Sequence, residues 1–223
     1  MTLDLFGFTI HDPDVALTDI GLAILGVTLA WRIGRMTNRG RLDASAIVLM
    51  LGLAAAALWG GIYHGLMPGG TSTVVGSVAW TLVSLSIVVA TAALASLALH
   101  GLMPGLQRRP RRWIIGLYAI GFATAILAVS DSFAMIVGFY FPVLLLALVG
   151  SVRQAASGRD SGWGLLACGF AVSILAAAGQ RIEIAIHPVY FDHNAVYHVV
   201  QGSALVLLYL GFRRRPDPIG WNR

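Results

Sequence analysis

Seven long apolar stretches alternate along the chain with short polar segments that hold most of the charged residues. A transmembrane helix needs roughly 20 mostly apolar residues, because each residue adds only about 1.5 Å along the helix axis. The pattern therefore predicts an all-α bundle of seven membrane-spanning helices. The predicted helices run from Val15 to Ile33, Ala44 to Met67, Ser72 to Leu102, Trp113 to Ser130, Phe133 to Val152, Trp163 to Ile186 and Asp192 to Phe212.

The composition supports lipid as the surroundings of these helices. Hydrophobic residues make up 57% of the chain and charged residues 11%, and the mean hydropathy is +0.79. A soluble domain carries about 25% charged residues. Seven spans with short loops use nearly all of the 223 residues, so a single domain is predicted. Residues 1–14 form its extracytoplasmic N-terminal segment, 15–213 the transmembrane part and 214–223 a cytoplasmic tail.

The N-terminal segment is acidic and lacks the basic region with which a secretory signal peptide begins. Its apolar residues between Leu3 and Ile10 predict a short segment that lies at the membrane surface.

The basic residues predict the orientation of the bundle. All fifteen are arginines, and only Arg181 lies on the opposite side of the predicted membrane from the others. Cytoplasmic loops are enriched in arginine, so the N-terminus is predicted to be outside and the C-terminus cytoplasmic. The arginines on the predicted cytoplasmic side are Arg32, Arg35, Arg39, Arg41, Arg108, Arg109, Arg111, Arg112, Arg153, Arg159, Arg213, Arg214, Arg215 and Arg223.

The arginine clusters also indicate which partners to expect. The formal net charge is +5, but the arginines sit in short groups between apolar runs, which is typical of membrane anchoring rather than of a nucleic-acid-binding face. The predicted partners are membrane lipids and other membrane subunits, with no nucleic acid. The chain contains no lysine, which excludes a retinal Schiff base. Its single cysteine, Cys168, can form no internal disulfide.

Polar and ionisable side chains inside membrane spans are costly, so each is a functional candidate. Most lie near the extracytoplasmic ends of their helices. Asn194, His198 and Gln201 share one face of the seventh helix through i, i+4, i+7 spacing. Two further stripes are expected on the third helix (Ser77, Thr81, Ser84, Thr91) and on the sixth (Ser173, Gln180, His187). Inward-facing stripes would build a wet or metal-lined cavity; alternatively, the hydroxyls bond within their own helices and the histidines are packing residues.

Histidine is the commonest metal ligand, and catalytic zinc takes three protein ligands with one open position. His64 closes the second helix and His198 opens the seventh, so both are candidate ligands. His193 is a third, provided that the seventh helix begins after it. The candidate catalytic carboxylates are Glu183, Asp131, which caps the turn between the fourth and fifth helices, and Asp19. Asn194, Gln201 and Tyr63 are candidate cofactor-binding residues.

The steps Tyr63-His64 and Asn194-x-x-Tyr197-His198, with Thr18-Asp19 opening the first helix, resemble a known group. The chain is similar to the seven-transmembrane superfamily that unites alkaline ceramidases with the progestin and adiponectin receptors, and most similar to its bacterial branch. The resemblance covers the whole architecture, through about ten motif residues. It implies a bacterial cytoplasmic membrane protein that hydrolyses a lipid amide with zinc-bound water.

The resemblance implies specific positions for the site. The zinc-binding histidine of the second helix falls on His64, and the second histidine of the seventh helix falls on His198. Asn194 stands where the family has the first histidine, with His193 beside it, and Gly60 stands where it has a serine. The family's aspartate falls between positions 75 and 80, where this chain has no carboxylate.

Two classes of function therefore remain open. One is a metal-dependent hydrolase of a lipid or amide bond near the extracytoplasmic face, with Glu183, Asp131 or Asp19 in place of the missing groups. The other is a non-catalytic accessory or scaffold subunit of a membrane complex, or a lipid- or pigment-binding protein. A transporter is disfavoured because the sequence shows neither inverted repeats nor interrupted spans.

Overall fold

A computed structural model describes residues 2–5, 7–36, 41–158 and 161–214 of the chain. Within these ranges it contains seven helices, each long and apolar enough to cross a membrane. The prediction of an all-α seven-helix bundle is thereby confirmed, and the chain is an integral membrane protein. The helices are α1 (Pro13–Gly34), α2 (Arg41–Leu66), α3 (Val74–Leu102), α4 (Arg108–Ala128), α5 (Phe133–Ala156), α6 (Ser161–Arg181) and α7 (His193–Arg214).

Two helix boundaries differ clearly from the prediction. α4 begins five residues early, at Arg108, because Pro110 fits the first turn of a helix, where no backbone N–H partner is needed. α6 ends at Arg181 and not at Ile186. Beyond Arg181 the Glu183 amide donates to the Gln180 carbonyl (3.1 Å) and the Ile184 amide to the Gly179 carbonyl (2.9 Å).

This hydrogen-bond pair is a Schellman ending, which requires a left-handed residue, and Glu183 supplies it with φ of 59°. Sequence patterns place glycine at that position, so a glutamate gave no signal of a helix end. The predicted stripe on the sixth helix is consequently wrong at His187, which lies in the loop beyond α6.

Six of the helices form a closed ring. α1 packs on α2, α2 on α3, α3 on α5, α5 on α6, α6 on α7, and α7 returns to α1. α4 lies outside the ring against α3. Only 11% of the residues in its membrane-spanning stretch are buried inside the protein, against 44% for α1.

Small residues bring neighbouring helices of the ring into backbone contact. A Cβ atom at Gly52 would lie 2.9 Å from the backbone nitrogen of Ala90, which joins α2 to α3. A Cβ at Gly101 would lie 2.9 Å from the Gly150 backbone, which joins α3 to α5. Helices in lipid associate through close packing of this kind, because burying apolar side chains yields little there.

The N-terminal segment is an antiparallel hairpin of β1 (Thr2–Leu5) and β2 (Phe8–His11). Gly7 turns the chain with φ of 83°. The hairpin packs against the end of α2, and its position at a membrane surface stays a prediction. Phe6, Arg39, Arg159 and the predicted tail beyond Arg214 lie outside the described residues. The end of the bundle that carries this hairpin and the α6–α7 loop is called the outer end below.

We expect Gly101→Ala to lower the midpoint of thermal unfolding in detergent. Its new methyl group would overlap the Gly150 backbone, and overpacking of this kind costs about 1–3 kcal/mol. Gly138→Ala is the matched control, since a Cβ there meets nothing within 4 Å. That control should be neutral or slightly stabilising, because alanine favours a helix over glycine by about 1 kcal/mol. Equal shifts for both variants would contradict the packing account.

Candidate functional site

A buried carboxylate and a buried imidazole meet where the ring closes, at the outer end. Asp19, in the second turn of α1, and His198, in the second turn of α7, are only 4% and 9% exposed. The Nε2 atom of His198 lies 3.2 Å from Oδ1 of Asp19. Two acceptors would repel at this distance, so at least one proton lies between them.

Thr18 holds the other nitrogen of the same ring. Its Oγ1 lies 3.1 Å from Nδ1 of His198. The hydroxyl also reaches the carbonyl oxygens of Asp14 (2.8 Å) and Val15 (3.0 Å) within α1. A hydroxyl has one hydrogen to donate. When Thr18 donates that hydrogen to the carbonyls of its own helix, its Oγ1 accepts from Nδ1–H of His198. Both ring nitrogens of His198 are thus engaged with oxygen atoms of α1.

Gly60 makes room for the carboxylate. A Cβ atom at position 60 would lie 2.9 Å from Oδ2 of Asp19, so the acid rests directly on the backbone of α2. The family resemblance implies a serine at this position. In this chain the space of that side chain is filled by the carboxylate of Asp19.

His64 lies one helical turn after Gly60 and lines an open cleft of about 240 Å³ at the outer end. Its ring meets the Tyr63 ring edge-on at 5.4 Å, and Tyr63 in turn lies 5.3 Å from the ring of Trp80. The hairpin forms one wall of the cleft. The lining residues are Thr2, His11, Asp12, Tyr63, His64, Met67, Pro68 and Gly70.

A hydrogen-bonded cap holds the start of α7 beside this site. Oδ1 of Asp192 accepts from the amides of Asn194 (2.8 Å) and Ala195 (2.9 Å). The Asn194 side-chain oxygen accepts from Nε2 of Gln180 on α6 (2.8 Å), and the Asp192 amide donates to Oδ2 of Asp14 on α1 (3.1 Å). The cap therefore ties α1, α6 and α7 together one turn outside His198. Asn194, a candidate cofactor-binding residue, makes these structural bonds.

The remaining candidates are placed differently. Gln201 is buried one turn inward of His198 on α7, and His193 begins α7 half-buried. Glu183 is exposed beyond α6. Asp131 is exposed in the α4–α5 turn, where its carbonyl accepts from the Trp80 indole (2.6 Å).

The cap of α5 differs from the predicted one. The hydroxyl of Ser132, and not the side chain of Asp131, accepts from the amide of Met135 at the start of α5. The prediction that Asp131 caps this turn is therefore wrong.

A three-ligand zinc centre does not fit this arrangement. Among the described residues, no three histidine, cysteine, aspartate or glutamate side chains come close enough to hold a metal ion. His198 also has both nitrogens within hydrogen-bonding distance of Thr18 and Asp19. The arrangement of His198 and Asp19 therefore suits a proton shared between the two side chains.

Sequence reasoning missed two features of the site. The hydrogen-bonding role of Asp192 could have been expected from Asp192-His193-Asn194, since an aspartate before a helix is a common N-cap. The contact of Asp19 with Gly60 had no signal, because a glycine inside a span is normally a packing residue.

Residues 15–217 match a family described as a family of unknown function (DUF6962), and the chain belongs to this family. No curated protein matches the chain.

We expect Asp19→Ala and His198→Ala to destabilise the protein non-additively, because each alone leaves one buried polar atom of its partner without this hydrogen bond. The double variant should lose less stability than the sum of the two, by about 0.5–3 kcal/mol. Unfolding free energies in bicelles measure this coupling. Gln154→Ala is the control: its amide bonds to Gly101 O (2.6 Å) at the opposite end of the bundle, so with Asp19→Ala it should be additive. Additivity of the first pair would contradict a shared proton.

Proposed function

We propose that this member of the DUF6962 family is a membrane-embedded hydrolase of the bacterial cytoplasmic membrane that cleaves an amide or ester bond of a lipid near its extracytoplasmic face. The observation that carries the proposal is the buried Asp19–His198 pair beside a cleft lined by His64. Ionisable groups inside membrane spans are costly and mark functional sites. An imidazole oriented by a carboxylate is also a recurring acid–base unit of hydrolases.

The two histidines take different roles in this proposal. His64 faces the cleft and removes a proton from a water molecule as that water attacks the substrate carbonyl. The carbon–oxygen bond forms, the carbon–nitrogen or carbon–oxygen bond to the leaving group breaks, and the leaving group takes up the proton that His64 removed from water. Asp19 and His198 share a further proton one helical turn away, and the hydroxyl of Thr18 fixes the orientation of the His198 ring.

The position of the cleft supports a lipid as the substrate. It opens at the outer end, where the polar lining meets the ends of the membrane-spanning helices. α1, whose N-cap residue Asp12 lines the cleft, carries Leu17 and Ile24 as strongly exposed apolar side chains. A lipid can therefore present its head group to His64 while its acyl chains stay in the bilayer. This reaction includes no zinc step, because the described residues do not supply three ligands.

A second candidate function, that of an accessory subunit in a membrane complex, is supported by α4. This helix lies outside the ring and presents Trp113, Leu117 and Ile120 as exposed apolar side chains, each at least 64% exposed. A helix that contributes so little to its own bundle is available to pack against another membrane protein.

For the hydrolase, we expect purified protein in nanodiscs to release fatty acid from at least one member of a panel of N-acyl and O-acyl lipids. His64→Ala and His198→Gln should each lower the rate about 100-fold or more, the usual contribution of a positioned acid–base group. Asp43→Asn and His100→Gln are matched controls, because both residues are buried at the opposite end. Mass spectrometry of the products measures the rate.

Two outcomes would contradict this proposal: no turnover of any lipid in the panel, or equal losses for the site variants and the matched controls. The assay is run with and without a zinc chelator. Loss of activity on chelation would show that the reaction depends on zinc and would contradict the metal-free step.

For the accessory role, we expect the chain to purify in native nanodiscs with a stoichiometric partner subunit. A photoreactive residue at Leu117 of α4 should crosslink to that partner. The same residue at Leu175 of α6, which is similarly exposed, should not. A chain that migrates alone under these conditions would contradict the accessory role.

A further inference from the structure

The loop between α6 and α7, residues 182–191, is unusually apolar for a connecting segment. Loops that face water are normally rich in polar residues, and exposed apolar patches mark interaction surfaces. Five large side chains of this loop are each more than half exposed. They are Ile182 (71%), Ile184 (53%), Ile186 (78%), Val189 (52%) and Tyr190 (63%).

Most backbone amides of this loop are hydrogen-bonded within the protein, which lowers the cost of placing the segment at a lipid surface. The first amides of the loop are hydrogen-bonded in the Schellman ending of α6. His187 and Phe191 exchange both of their backbone hydrogen bonds, at 3.1 and 3.0 Å. The Nδ1 atom of His187 accepts from the amides of both Val189 and Tyr190 (3.2 Å each), which leaves the ring proton on Nε2. The amides with a partner inside the molecule are those of Ile182, Glu183, Ile184, His187, Val189, Tyr190 and Phe191.

The apolar face of the loop continues the lipid-facing stripe of α6. Leu175, Ala178 and Ile182 are all exposed and follow i, i+3, i+7 spacing, so they lie on one face. Because α6 is long and apolar enough to span the membrane, we expect lipid to cover this face, and no polar residue interrupts it before the loop begins. Arg181 and Tyr190 are of the types that anchor at a membrane surface, with an apolar stem or ring and a polar tip.

We propose that the α6–α7 loop is inserted into the lipid leaflet at the outer end of the bundle, with Ile184, Ile186 and Val189 among the lipids. The loop is an interfacial anchor whose partner is the lipid surface itself. Its two ends adjoin the hydrogen-bonded cap formed by Gln180, Asp192 and Asn194. Anchoring the loop therefore sets the depth at which the outer end, with His198, sits in the membrane. The inference does not depend on hydrolysis.

Spin-label accessibility in lipid nanodiscs tests this proposal. Cys168 is the single cysteine of the chain, so Cys168→Ala provides a clean background for one nitroxide label at Ile186→Cys. Leu175→Cys serves as the lipid-facing control. Thr71→Cys serves as the water-facing control, because Thr71 is an exposed polar residue of the α2–α3 connection. We expect the ratio of oxygen to nickel-chelate accessibility at Ile186 to exceed that at Thr71 several-fold and to approach that at Leu175.

Two results would overturn the proposal. A ratio at Ile186 equal to that at Thr71 places the loop in water. Low accessibility to both reagents means that protein covers the loop, as a second copy or another subunit would. Val189→Cys repeats the measurement on the other arm of the loop, so that failure of one variant to fold leaves the test intact.

Discussion

The contact between the Asp19 carboxylate and the His198 imidazole joins the first helix to the last, in surroundings where water is scarce. A polar group buried there must find its partner within the protein, and a charge is stabilised only by a nearby counter-charge or a shared proton. Thr18 completes the contact from α1, and Gly60 leaves the space for it on α2. The ring of helices and the candidate site thus depend on the same few atoms.

Close packing provides the frame for that contact. At Gly52 and Gly101 the backbones of neighbouring helices approach so closely that a single methyl group would overlap them. Such contacts fix the rotation and depth of each helix, because side-chain burial alone distinguishes poorly between one apolar face and another in lipid. At the outer end the cap around Asp192 adds directional bonds between α1, α6 and α7. The acid and the imidazole are therefore held at a defined distance.

Two features could be predicted because they follow from the local order of residues. One is the seven membrane spans, and the other is the location of His64, Asp19 and His198 at the outer ends of their helices. The end of α6 could not, since it depends on Glu183 adopting the left-handed conformation that glycine usually takes. The start of α4 was also missed, because Arg108 to Arg112 were assigned to a loop by their charge. The grouping of His64, His198 and His193 around zinc was predicted from the preference of zinc for histidine and from a resemblance, and neither shows which side chains meet. The geometry instead pairs His198 with Asp19.

The sequence by itself determined the lipid surroundings, the number of helices and the concentration of ionisable groups near one set of helix ends. Hydropathy and residue spacing carry that information locally, without reference to distant parts of the chain. Only the tertiary structure decided which of these groups meet. Thr18 and His198 are 180 residues apart, and their contact exists because α7 closes the ring against α1. The partner of a buried polar group depends on how helices pack, which no single helical stripe encodes.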